Sequence, residues 1–135
     1  MNDEQLKEMY NSAKTVAVVG LSKNTARAAH GVAKSLQGWG YKIVPVNPGC
    51  DEVLGETCYP SLKDIPFPVD VVDVFRASEF APEIARGAVN IGAKYLWLQD
   101  NVESAEAREI AEKAGIMFIE NNCIFRERIR LFGFS

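Results

Sequence analysis

The sequence is poor in the residues that cross-link small proteins or bind metals. Its three cysteines, Cys50, Cys58 and Cys123, are an odd number without C-x-x-C spacing, and His30 is the one histidine. This pattern indicates neither a disulfide framework nor a zinc site, so we expect reduced thiols and no metal. Lys and Arg (15) are fewer than Asp and Glu (18), and the net charge of −3 argues against a nucleic-acid partner.

Long apolar runs are also absent. No run approaches the ~20 apolar residues that span a bilayer, and the N-terminus, MNDEQLKEMYNSAK, is acidic and amphipathic. We therefore expect a soluble, cytoplasmic chain without membrane contact. With 135 residues, 47% of them apolar, we expect one domain, 1–135, in which 1–14 is an N-terminal helix and 121–135 is a C-terminal helix and tail.

Five short runs rich in β-branched and aromatic residues alternate with helical patterns. Because polar residues do not alternate within them, they are typical of strands buried on both faces. The runs cover 15–20, 41–47, 69–75, 94–99 and 116–120, and the helical patterns cover 3–13, 27–38, 79–91 and 104–114. The sequence predicts a doubly wound α/β domain: a mostly parallel, five-stranded Rossmann-like sheet of order 3-2-1-4-5 with helices on both faces.

Two segments interrupt the alternation. Residues 47–68 are rich in Pro and Gly, and we expect a loop there with an extended piece at 56–59 and a short helix at 61–65. The residue pattern of the tail predicts a final amphipathic helix, which Asn121 or Asn122 would cap. Because the tail ends in apolar residues, it suggests a homodimer or a partner protein.

The predicted strand ends carry many hydrogen-bonding and cationic side chains. In an open parallel sheet, ligands bind beyond the carboxyl ends of the strands, where the strand order reverses. The residues at these ends include Ser22, Lys23, Asn24, Thr25, Arg27, Asn47, Arg76, Gln99 and Asn101. Because helix N-terminal amides beside Ser22 and a cation can hold phosphate, we predict a phosphorylated ligand.

The segment VVGLSKNTAR contains one glycine, Gly20, where a dinucleotide fingerprint has three in G-x-G-x-x-G. The second strand ends in Val46, Asn47 and Pro48, with no acidic residue to hold ribose hydroxyls as an NAD site requires. Both features disfavour ordinary NAD. They leave open a plain strand–helix turn that binds nothing and a site for a different nucleotide.

Several motifs in order resemble one family. V-G-L-S, P-V-N-P, G-E-T-C-Y-P-S-L, V-D-V-V-D-V-F-R and W-L-Q together resemble the stand-alone CoA-binding domain proteins, relatives of the N-terminal domain of the succinyl-CoA synthetase alpha subunit. The resemblance runs from Thr15 to about Cys123. It implies a Rossmann-like domain whose cofactor is coenzyme A and whose partner is coenzyme A or an acyl-CoA.

The resemblance also implies the residues that hold this ligand. The loop at 20–23 would surround the nucleotide phosphates, Asn47 and Pro48 would flank the adenosine, and the end of the third strand would line the cleft. The matching positions are Gly20, Leu21, Ser22, Lys23, Arg27, Asn47, Pro48, Phe75 and Arg76. The chain departs from the family at Asp100-Asn101-Val102, where relatives have a glycine before the valine, and at Asn121-Asn122, where they have Asp-Arg.

The sequence shows no catalytic constellation. We expect surface or loop packing for His30 and an inert buried thiol for Cys123. Two acidic residues lie within an apolar strand, and we expect Asp70 to cap the strand and Asp73 to accept a hydrogen bond from a neighbouring amide.

The expected function is therefore that of a non-catalytic module that binds CoA or acyl-CoA. Such a module would act as a carrier, a sensor or a regulatory partner in acyl-CoA metabolism. Two alternatives remain. One is a thiol- or ligase-type enzyme that acts on acyl-CoA through Cys123 or His30. The other is an NAD(H)-binding redox sensor.

Overall fold

The computed structural model describes residues 1–134, so the last residue of the predicted tail, Ser135, lies outside the described residues. The main sheet consists of β1 (Thr15–Val19), β2 (Lys42–Val46), β5 (Val71–Val74), β6 (Tyr95–Leu98) and β7 (Met117–Ile119), and a separate hairpin of β3 (Glu52–Val53) and β4 (Glu56–Thr57). The helices are α1 (Asp3–Ser12), α2 (Ala28–Gly38), α3 (Ala81–Asn90), α4 (Ala105–Lys113) and α5 (Ile124–Phe132).

The main sheet is parallel throughout and carries helices on both faces, which confirms the predicted fold class. Small alanines of α3 and α4 pack on one face, and apolar side chains of α1, α2 and α5 pack on the other. Because both faces are covered, β5 is buried along its whole length. Within residues 1–134, no helix combines the length and apolarity that crossing a membrane requires.

The predicted strand order is wrong. The observed order is β2-β1-β5-β6-β7, so the third main strand pairs with β1 rather than with β2. The outer edge of β2 is taken by Tyr59, whose amide donates to the Pro45 carbonyl and whose carbonyl accepts from the Asn47 amide, both at 3.0 Å. The connection then packs Leu62 and Ile65 into the core on the α3 side. On that face the connection carries the chain back past β1 to β5.

The irregular segment after β2 has the two pieces that its sequence predicts. The extended piece is β4, which pairs with β3 across a two-residue turn, and the short helix is a 3-10 turn at Leu62–Asp64. The turn residues Leu54 and Gly55 both have positive φ, at 54° and 77°. Positive φ at both positions is the geometry of a type I′ hairpin, which holds the two short strands in register.

Neither predicted asparagine caps α5. The N-cap position is Cys123, whose side chain makes no capping hydrogen bond. Asn121 has a φ of 51° and lies outside the helix, and the Asn122 side chain accepts from the amide of Cys123 at 2.8 Å. The amide of Ile124 instead donates to the Oε1 atom of buried Gln99 at 3.2 Å. A side chain from the end of β6 therefore satisfies the first turn of α5, and sequence-local capping rules do not describe this contact.

Tyr10 joins α1 to α5, and its removal has a measurable cost. Its buried hydroxyl donates to the Ile124 carbonyl at 2.6 Å. We expect Tyr10→Phe to lower the free energy of unfolding by about 1 kcal/mol, because one buried hydrogen bond is lost. Urea unfolding followed by circular dichroism measures the change. Tyr95→Phe removes a hydroxyl without a hydrogen bond in residues 1–134, so a similar loss in both variants would contradict this role.

Candidate functional site

A cleft of about 410 Å³ opens at the carboxyl ends of β1, β2 and β5. This is the place where the strand order reverses, because the chain leaves β1 toward β2 and leaves β5 toward β6 in the opposite direction. Helix α3 and the 3-10 turn complete the lining. Its polar side chains are Ser61, Lys63, Arg76, Glu83, Arg86 and Asn90, and its apolar ones include Val19, Val46, Leu62 and Ile84.

Gly20 lets the loop after β1 approach the loop after β5. Its φ is +99°, a conformation that favours glycine, and its amide donates to the Val46 carbonyl at 2.9 Å. A Cβ at this position would lie 3.4 Å from the Phe75 Cβ and from the Arg76 Cδ. The structure thus brings three of the predicted site residues into one contact.

Asn47 joins the end of β2 to the same loop. Its Nδ2 donates to the Leu21 carbonyl at 3.3 Å, and its own carbonyl accepts from the Cys58 thiol at 3.6 Å. Leu21 is fully buried in the core on the α2 side, so its side chain anchors the loop rather than facing solvent. Direct contacts therefore fix the relative positions of the loops after β1, β2 and β5.

The remaining predicted residues of the first loop lie outside the cleft lining. Ser22 Oγ accepts from the Asn24 amide at 3.3 Å, which folds the loop into a tight turn. Lys23 and Arg27 are exposed, and within residues 1–134 neither makes an ion pair. Arg27 is the N-cap position of α2 but does not cap it with its side chain. A ligand that extends from the cleft toward the start of α2 would meet these cations.

Of the nine predicted residues, Pro48 and Arg76 line the cleft itself. Sequence reasoning missed the cations of the facing wall, Lys63 and Arg86. The spacing of Glu83, Arg86 and Asn90 places them on one face of α3, a periodic signal in the sequence, but nothing showed that this face turns toward the end of β1. Whether each of the nine residues contacts a ligand stays a prediction.

Arg76 is available to an anion. Its guanidinium carbon lies 4.1 Å from the centre of the Phe80 ring, and no carboxylate within residues 1–134 forms an ion pair with it. Arg86 pairs with Glu106 at 3.7 Å, but both side chains are more than half exposed, so this pair holds the guanidinium only weakly. The cleft thus has cations on two walls, with Glu83 as the acidic side chain among its lining residues.

At Asn101, where relatives have glycine, the chain keeps a backbone conformation that favours glycine. Asn101 has a φ of 67°, which suits glycine and is tolerated by asparagine. Its amide donates to the Asn121 side chain at 2.8 Å, so the two departures touch each other. Neither residue lines the cleft.

The two strand carboxylates differ in their surroundings. Asp70 accepts from the amides of Lys14 and Thr15 at 2.8 and 3.1 Å, which confirms the predicted cap. The predicted hydrogen bond of Asp73 is wrong: its side chain is fully buried, and neither carboxylate oxygen has a partner among residues 1–134. Burial raises the pKa of Asp73 well above its ordinary value. Its strand neighbour Trp97 packs on the α1 and α5 side, away from the cleft.

His30 and Cys123 also lie outside the cleft lining. His30 is half-buried and Cys123 is buried, and neither side chain makes a hydrogen bond with another described residue. No group of three potential metal-ligating side chains occurs in the part of the chain that the structure describes.

We expect Gly20→Ala to lower the free energy of unfolding by about 1–2 kcal/mol, because an L-residue is strained at positive φ. Gly31→Ala is the matched control. Gly31 lies inside α2 with open space at its Cβ position, so this change should be stabilising by about 0.5–1 kcal/mol. Urea unfolding of both variants measures the difference. Equal effects would show that the turn at Gly20 tolerates a side chain.

The fold and the cleft together define a class: a Rossmann-like domain with a cleft at the carboxyl ends of its strands, where ligands bind in open parallel sheets. Within that class, the chain matches one particular family. Residues 14–128 match the family described as "CoA binding domain", and the chain belongs to this family. The resemblance drawn from the sequence motifs is therefore confirmed.

The chain is also similar to individual proteins. The chain is 40% identical over 120 residues to the uncharacterized protein YneT of Bacillus subtilis (strain 168), covering 89% of both chains. It is 29% identical over 119 residues to the ADP-forming acetate–CoA ligase of Methanocaldococcus jannaschii, a match that covers 82% of this chain and 17% of the ligase. A solved structure, the hypothetical protein from Pyrococcus horikoshii OT3, is 41% identical with a TM-score of 0.96, covering 98% of this chain and 94% of that one.

Proposed function

We propose that this domain binds coenzyme A or an acyl-CoA in the cleft at the ends of β1, β2 and β5, without catalysing a reaction on it. One observation carries the proposal: Arg76, which has no carboxylate partner in the part of the chain that the structure describes, packs against Gly20 where the strand order reverses. Membership of the CoA-binding family and homology to part of acetate–CoA ligases support the choice of ligand.

The charge of coenzyme A suits the distribution of cations. The ligand carries a diphosphate and a ribose phosphate, joined to adenine at one end and to an uncharged pantetheine arm at the other. Arg76 and Lys63 face the cleft from two walls, while Lys23 and Arg27 flank the start of α2. Charge-assisted hydrogen bonds from such groups are about twice as strong as neutral ones. We propose that the phosphates lie between these two pairs of cations.

Calorimetric titration with CoA, dephospho-CoA, NAD and NADP tests this ligand assignment. We expect CoA to bind tightest and dephospho-CoA to bind about tenfold or more weakly, because it lacks one phosphate and its charged hydrogen bonds. Equal binding of all four, or binding of none, would overturn the proposal. Tighter binding of NAD would favour the alternative of a redox sensor.

The position of the two candidate nucleophiles supports a non-catalytic role as a carrier, a sensor or a regulatory partner. Cys123 and His30 lie outside the cleft lining. The rival, an enzyme acting on acyl-CoA, predicts turnover of acetyl-CoA that Cys123→Ala or His30→Ala abolishes while binding persists. Release of free CoA from acetyl-CoA, followed with a thiol reagent, distinguishes the two. Turnover lost in either variant would establish the enzyme.

The apolar tail is only partly open to a partner. Phe132 packs edge-on against Tyr10 with ring centres 5.9 Å apart, whereas Phe134 is 79% exposed. We propose that the tail contacts a second copy of the chain or a partner protein through Phe134. Light scattering of Phe134→Ser beside the unchanged chain tests this, and an identical mass above that of a monomer would exclude the tail. A cytoplasmic location remains a prediction.

A further inference from the structure

Two cysteines lie at the open end of the β3–β4 hairpin, beside the cleft. Cys50 follows β2 two residues after Pro48, and Cys58 ends the hairpin two residues before Pro60. Both prolines line the cleft. The two thiols therefore belong to the two chain segments that leave the cleft wall and return to it.

The hairpin holds these segments side by side. The turn at Leu54 and Gly55 is the tightest that joins two strands, and the Cys58 amide donates to the Asp51 carbonyl at 2.9 Å. Cys58 is thus paired with the immediate neighbour of Cys50. Cys50 lies before β3, outside the strand, and its thiol is in side-chain contact with the Cys58 thiol, the proximity that a disulfide requires.

The two thiols differ in exposure. Cys50 is half-buried, whereas Cys58 is 6% exposed and its thiol donates to the Asn47 carbonyl at 3.6 Å. Burial and the adjacent Cys50 thiol raise the pKa of Cys58 to about 11. Cys50 is therefore the thiol that an external reagent reaches first, and Cys58 is placed to react with Cys50 afterwards.

We propose that Cys50 and Cys58 form a reversible disulfide site, oxidised by low-molecular-weight disulfides, whose closure weakens ligand binding in the cleft. The second half of this inference rests on the proposed function. The Cys50 thiolate attacks one sulfur of the small disulfide, which forms a mixed disulfide and releases one small thiol. The Cys58 thiolate then attacks the Cys50 sulfur and releases the second small thiol. Two electrons pass from the cysteine pair to the reagent, and the two cysteine protons end on the released thiols.

Closure would act on the cleft through Asn47. The bonded sulfurs lie about 2.05 Å apart, and the Cys58 sulfur no longer carries a proton to donate. The Asn47 carbonyl therefore loses this donor, while the Asn47 side chain is the group that joins β2 to the loop at Leu21. We expect the oxidised chain to bind CoA about two- to tenfold more weakly, as loss of one hydrogen bond allows.

Glutathione disulfide, applied to the reduced full chain and followed by mass spectrometry after thiol alkylation, tests the site. We expect a product that carries two alkyl groups fewer than the reduced chain, in which the peptides of Cys50 and Cys58 are linked and together two hydrogen atoms lighter than the free peptides. Cys58→Ser should stop at a glutathionyl adduct on Cys50, and Cys123→Ser should behave as the unchanged chain. No reaction, or a stable adduct on Cys50 in the unchanged chain, would overturn the disulfide site.

Titration of both redox forms with acetyl-CoA, which has no free thiol to reduce the disulfide, tests the coupling separately. Weaker binding by the oxidised form, restored by a reductant, supports it. Equal affinities of the two forms would overturn the coupling. If the disulfide forms and neither redox form binds CoA, the proposed function fails together with the coupling, while the thiol pair stands.

Discussion

Arg76→Ala is expected to weaken CoA binding by about ten- to hundredfold, because a charge-assisted hydrogen bond contributes about 1.5–3 kcal/mol. Arg76 follows β5 at the strand-order reversal, contacts the Gly20 turn and has no carboxylate partner in the described chain. Its ring contact with Phe80 keeps the guanidinium at the cleft. Isothermal titration of the purified variant with CoA measures the loss.

Two further variants make the result specific. Lys7→Ala removes the same unit of charge from exposed α1, on the other helical layer, and should leave CoA affinity unchanged. Arg76→Lys keeps the charge but loses the planar, bidentate donor, so an intermediate affinity is expected. Indistinguishable affinities of Arg76→Ala and Lys7→Ala would show that Arg76 does not contact the ligand.

Asp73→Val is expected to raise the free energy of unfolding by about 1–3 kcal/mol at neutral pH, because it removes a buried polar group that has no hydrogen-bond partner in the described chain. Asp73 is fully buried in β5 between valines, and valine has nearly its shape and favours strands. Urea unfolding of both chains at neutral pH measures the gain. Loss of stability in Asp73→Val would show that the carboxyl group has a partner essential to the fold.

The same carboxyl group predicts a dependence of stability on pH. Its pKa in the folded chain is raised, so between about pH 3.9 and that raised value the folded chain binds more protons than the unfolded one. The contribution of Asp73 to the free energy of unfolding is greatest below about pH 3.9. Above about pH 3.9 it falls by at most about 1.4 kcal/mol per pH unit. Asp73→Asn lacks this loss, so its advantage over the unchanged chain should grow with pH. A constant difference from about pH 4 to 8 would contradict the assignment.

The strand and helix segments could be predicted because burial on both faces leaves runs of β-branched residues, and helices leave a 3.6-residue period. The start of α3 could not. The pattern from residue 79 predicts one helix, but Ser78–Phe80 forms a 3-10 turn and α3 begins at Ala81, with Pro82 in its first turn. The partner of β5 was also unpredictable, because a single bridge at Tyr59, without any periodic signal, closes the edge of β2.

The candidate site, like the fold, could be predicted from the sequence only in part. Gly20, Asn47 and Arg76 could be predicted as neighbours, because parallel strands bring their carboxyl ends to one edge. The cations Lys63 and Arg86 belong to the crossover and to α3, and their position depends on which face of the sheet each connection covers. That choice followed from the strand order, so the error in the order concealed the far wall of the cleft.

The two borders of the main sheet are unequal, and this limits how copies of the chain can associate. Tyr59 already uses backbone hydrogen bonds at the border of β2, so no further strand can add there without displacing it. The opposite border is β7, three residues long, and short border strands are poor templates for growth of a sheet between molecules. Both edges of the sheet therefore disfavour aggregation by the addition of strands from other molecules. A homodimer of this chain is expected to bury helical surface, leaving the sheet of each copy discontinuous with the other.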